Sequence, residues 1–99
     1  MTIRDVLEEA AADLDGVEEV EVAEAVSWRV GGREFAIATD GAAEFGLDPL
    51  VALAALRTGN VTTSARGPGW VRFAPAVLDD PAIDRAEAWL MSAWRLAGR

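Results

Sequence analysis

Apolar residues recur at spacings of three and four through Ile3, Val6, Leu7, Ala10, Ala11 and Leu14, a period that predicts an amphipathic helix over residues 2–14. Thr2 followed three residues later by Asp5 has the form of a capping box, with Asp in the usual Glu position. The period then changes. After Asp15-Gly16 an acidic segment runs to Ala25 with Val20 and Val22 alternating, and it leads into Val26, Trp28 and Val30 interleaved with Ser27 and Arg29. Two-residue alternation predicts a strand, and Gly31-Gly32 is a two-residue turn signal before the next run, Arg33 to Ala38. Asp40-Gly41 marks another turn, followed by a short strand around Glu44 to Leu47. Asp48 with Pro49 next to it opens a helix whose body is Leu50 to Arg57, with Gly59 past its end.

Two further strands, Val61 to Arg66 and Trp70 to Pro75, flank Gly67-Pro68-Gly69. Alternation puts Val71 and Phe73 toward the core and leaves Trp70 and Arg72 outward. Asp80-Pro81 repeats the cap-and-proline start of a last helix, whose apolar stripe is Ile83, Ala86, Trp89, Leu90, Ala93, Trp94 and Ala97. The predicted order is helix, three strands, helix, two strands, helix. Hairpin-type connections make this a two-layer α+β domain, an antiparallel sheet with helices on one face. Residues 1–99 form one domain, with no internal repeat and no linker.

Composition narrows the chemistry. Every one of the nine basic residues is an arginine, and the chain has no His, no Lys and no Cys. The usual general base, the Schiff-base and phosphate-loop lysine and the thiolate nucleophile are therefore missing together, as are disulfides and Cys-type zinc sites. Ser27, Ser64 and Ser92 have no His or Lys to activate them, and a carboxylate pair such as Asp79/Asp80 is explained by helix capping. The expectation is a protein that is not an enzyme and needs no cofactor. With no signal-type amino terminus and no apolar run long enough for a bilayer, a cytoplasmic location and no membrane partner are expected.

Charge changes the picture again. Of the seventeen acids, Asp5, Glu8, Glu9, Asp13, Asp15, Glu18, Glu19, Glu21 and Glu24 lie within the first 24 residues against Arg4 alone, whereas the remainder of the chain is neutral, so the net charge of −8 belongs to the amino-terminal quarter. Such a front end repels phosphate and attracts basic surfaces. Glu8, Glu9 and Asp13 on the first helix, with Trp70 as an outward contact, are the candidate residues for a partner with a basic surface. The middle helix is apolar nearly all round and is a second candidate for apolar contact. The alternative is nucleic-acid binding on a sheet face by Arg29, Arg33 and Arg72, joined by Arg66, Trp28 and Trp70, although a pI near 4.3 is opposite to that footprint. A third possibility is an acidic ridge that collects hard cations, though no ligand spacing specifies a metal residue.

Trp28-Arg29-Val30-Gly31-Gly32-Arg33-Glu34-Phe35-Ala36, the Asp48-Pro49 helix, Gly67-Pro68-Gly69-Trp70-Val71-Arg72-Phe73 and Ser92-Ala93-Trp94-Arg95-Leu96 together resemble the MmcQ/YjbR family of small bacterial domains, over nearly the whole chain. The resemblance implies the secretion-chaperone-like α-β(3)-α-β(2)-α fold and brings with it a DNA-binding label. Where family members carry basic or His-containing residues before the Trp strand, this chain has the uncharged Thr62-Thr63-Ser64-Ala65.

Overall fold

The computed structural model describes residues 1–99. Its elements are α1 (Ile3–Ala11), β1 (Val17–Val22), β2 (Ala25–Val30), β3 (Arg33–Ala38), β4 (Ala43–Gly46), α2 (Pro49–Ala55), β5 (Val61–Thr63), β6 (Trp70–Phe73) and α3 (Asp80–Ala97). The α+β, two-layer organisation read from the sequence is what forms: a six-stranded antiparallel sheet, in the order β1-β2-β3-β4-β6-β5, with the helices packed on one face.

The strand count before α2 is corrected from three to four. The acidic segment pairs with β2 along its full length as a separate strand, because Ala23-Glu24 reverses the chain between Val22 and Ala25. Ala23 sits at φ 54, in the left-handed region that Gly or Asn usually occupies, so the turn carries no conventional sequence signal. By contrast, Gly31 and Gly32 have φ 57 and 79, the double left-handed geometry of the turn their sequence announces.

Both bonds of the capping box form, with the Asp5 amide donating to Thr2 Oγ1 and the Thr2 amide to Asp5 Oδ2. Helix α1 then stops at Ala11, short of the predicted Leu14. Asp48 caps α2 through the Leu50 amide. The cap of α3 is corrected by one residue: Asp79, not Asp80, accepts from the Ala82 amide, which places Asp80 and Pro81 within the first turn. Pro has no N–H to leave unsatisfied at that position.

One hydrophobic cluster lies between the sheet and the helices. Ile3 and Leu7 from α1, Trp28, Phe35, Phe45 and Phe73 from the sheet, and Ala86, Leu90 and Ala93 from α3 are all buried in it. Trp89 packs edge-on to Phe73 with ring centroids 5.1 Å apart and tilts on Phe45 at 6.1 Å. The alanines on α3 let that helix approach the sheet closely enough for the aromatic rings to interlock.

Candidate functional site

Two surfaces collect the residues singled out in the sequence. The first is the sheet face turned away from the helices. Its composition follows from register: Ser27 opposes Ile37, Ile37 opposes Glu44, and Glu44 opposes Arg72, which opposes Thr62. A bulge in β3 adds Glu34 to this row, because Phe35 is an extra residue between the Trp28↔Ala36 and Arg29↔Glu34 pairs and turns into the core beside Ala36.

The resulting cluster largely satisfies itself. Glu34 accepts from Ser27 Oγ and pairs with Arg66. Ser64 Oγ donates to Glu44 at 2.6 Å and accepts from the Arg66 amide at 3.1 Å. The Arg66 guanidinium sits 5.0 Å from the centre of the Trp70 ring, and that ring lies so close to Gly46 that an added Cβ there would stand 3.0 Å from it. Trp70 is thus half-buried, in contact with a guanidinium and with the sheet backbone, rather than projecting as a free contact.

The arginines proposed for nucleic acid do not form one strip. Arg29 is half-buried opposite Glu34, with an Nε that has no partner; Arg72 is exposed three strands further on, opposite Glu44; Arg33 is exposed at the β2–β3 hairpin end. Trp28 is corrected from a stacking candidate to a core residue, fully buried on the helix side with its Nε1 donating to Glu19 at 2.9 Å.

The second surface is the acidic edge. Strand β1 is the first in the sheet and is hydrogen-bonded on one side only, and Glu18, Glu19 and Glu21 along it are exposed. Helix α1 runs alongside on the core side, with Glu9 exposed and Glu8 held by Arg4 at 2.9 Å; Asp13, expected on this helix, is corrected to an exposed position in the turn that follows its end at Ala11. Arg4 also reaches Glu21 at 3.7 Å and the Glu24 carbonyl at 3.3 Å, tying the helix to the β1–β2 turn. The bond that Arg4 donates to Glu8, with the nearby charges of Glu8 and Glu21, raises the Arg4 pKa above its ordinary value. Between α1 and β1 lies a groove of about 330 Å³, with Ala11, Ala12, Leu14 and Val17 as its apolar walls and Glu8 and Glu19 among its lining.

The candidate set Glu8, Glu9, Asp13 and Trp70 is therefore divided. Trp70 belongs to β6, four strands from β1 or roughly 19 Å of sheet, and its ring is on the opposite face from α1. Helix α2, which packs on β6, exposes Leu50 at 77% and Leu53 at 60% at that same far end. No three carboxylates come together as a group able to hold a metal ion, which leaves the cation reading without geometric support. No helix is long and apolar enough to cross a membrane.

That β1 forms a separate edge strand is only half written in the sequence. The signal was present in the valines at 17, 20 and 22, but the turn that makes the strand separate lacks Gly and Asn. No protein-family model, no curated protein and no solved structure matches this chain.

Proposed function

We propose that this chain is a non-catalytic binding module that recognises a basic partner protein through α1 and β1. The observation that carries the reading is the placement of the charge: Glu9 of α1, Asp13 just past its end and Glu18, Glu19 and Glu21 of β1 are exposed along one edge of the molecule, around a strand unpaired on its outer side. On the other surface the Arg66 charge is already paired with Glu34, and Glu44 stands opposite Arg72 in register. That balance leaves little positive field for phosphate, so the geometry supports nucleic-acid binding less well. Trp70 and the Leu50/Leu53 ridge are too far from the acidic edge to share a small contact with it, and the proposed surface is confined to Glu8, Glu9, Asp13 and β1. The MmcQ/YjbR resemblance stays part of the proposal as a source of the fold, with one strand more than the order it implies.

The test is capture from nuclease-treated lysate by the wild-type chain and by the triple variant Glu8→Lys, Glu9→Lys, Asp13→Lys. A basic protein retained by the first and lost from the second is expected, since reversing three charges turns a steering attraction into repulsion. Equal retention by both, or recovery of nucleic acid from lysate left untreated, would overturn the reading.

A further inference from the structure

Strand β1 has the length, the exposure and the open backbone to accept another strand. Its turn fixes which groups are available. A two-residue reversal makes Val22↔Ala25 a hydrogen-bonded pair, so by antiparallel alternation Val20↔Ser27 and Glu18↔Arg29 are also bonded, and the backbone N–H and C=O of Glu19 and Glu21 point outward. The other edge of the sheet, β5, has only three residues.

We propose that the partner's contacting segment is an extended basic strand that adds to the outer edge of β1. This deepens the proposed function and rests on it. A strand in that position would alternate its side chains between two environments. Those on the core side would meet Glu19, Glu21 and the groove walled by Ala12, Leu14 and Val17; those on the open side would meet Glu18, Val20 and the exposed Val22. Charge selects the occupant. A second copy of this chain pairing β1 to β1 would bring Glu18, Glu19 and Glu21 of each copy against the other's, and like charges across a strand pair are unfavourable. Arginine or lysine alternating with aliphatic residues is complementary on both faces. The same carboxylates could instead serve solely to keep other chains off the edge, and the experiment separates the two roles.

The probe is a synthetic alternating valine–arginine peptide, compared with the same sequence N-methylated at every backbone amide and with a valine–glutamate counterpart, titrated into the full chain at low salt. Strand addition predicts that the first peptide binds and that N-methylation weakens it about tenfold or more, since it removes the ladder donors without touching charge. It also predicts that the Glu19 and Glu21 amides become protected from hydrogen exchange. If the methylated peptide binds equally and these amides stay unprotected, while the triple charge reversal still weakens binding, strand addition is overturned and the basic-partner reading survives. If neither arginine peptide binds, both are overturned and the carboxylates are guards of an edge.

Discussion

Gly69 has the narrowest tolerance of any glycine in the molecule. Its φ is +81, and an added Cβ would stand 2.7 Å from the Leu47 carbonyl oxygen, which belongs to backbone and has no flexible end to swing away. Gly69→Ala is expected to lower stability by about 2–4 kcal/mol in a urea melt, from left-handed strain and displacement of the strand beside it. A loss below about 1 kcal/mol would mean that the loop relaxes freely. The turn at Gly67-Pro68-Gly69 is legible in the sequence; the carbonyl that makes Gly69 irreplaceable is not, because it comes from a residue 22 positions earlier. Glu34 and Arg66 show the same limit. Each looks like an ordinary surface charge, and only the bulge at Phe35 brings Glu34 onto the face where Ser27 and Arg66 meet it.

At the scale of elements, helix starts were written plainly in the sequence because a cap is a local device. Thr2, Asp48 and the Asp79-Asp80-Pro81 run act within three residues of themselves, and only the last was displaced by one position. The α1 cap also has a pH signature. Hydrogen bonds from the Thr2 backbone and hydroxyl hold the Asp5 carboxyl below its ordinary pKa. A lowered folded-state pKa stabilises the fold above the unfolded-state value and is lost as pH falls through the folded one. The stability advantage of the wild-type chain over Asp5→Asn should therefore be constant near neutrality and shrink below about pH 4, measured as urea midpoints across the acid range. An advantage that does not change with pH would show that the ionised carboxylate is not what the cap uses. Strand ends were less legible than helix starts. Strand β5, expected to reach Arg66, ends at Thr63; one further backbone bond, from the Ser64 amide to the Trp70 carbonyl, follows before the chain turns, and the Ser64 hydroxyl donates to Glu44.

Over the whole molecule the decisive quantity is the separation of charge. Asp5 and Glu9 repel along α1, with Asp13 just past its end, and the folded chain sets Glu19 and Glu21 beside them on the core side of β1, where Arg4 is the arginine that meets them; Glu18 lies on the open side, opposite Arg29 in register. Raising NaCl from about 10 mM to about 300 mM shortens the screening length several-fold and should raise the melting temperature by about 2–4 °C. The triple reversal at Glu8, Glu9 and Asp13 should lose most of that rise, and an equal rise in both proteins would place the repulsion elsewhere. The sequence by itself determined the helices, the central hairpin, the absence of the common catalytic side chains and the total charge of its front end. These depend on near neighbours or on counting. Tertiary structure alone decided that β1 is a separate edge strand, that Trp28 is core while Trp70 lies under Arg66, and that Trp70 and the acidic helix are on opposite faces. Strand order and cross-strand neighbours are set by contacts between residues far apart in the chain; local alternation tells which side chains of a strand share a face, not what will lie opposite them.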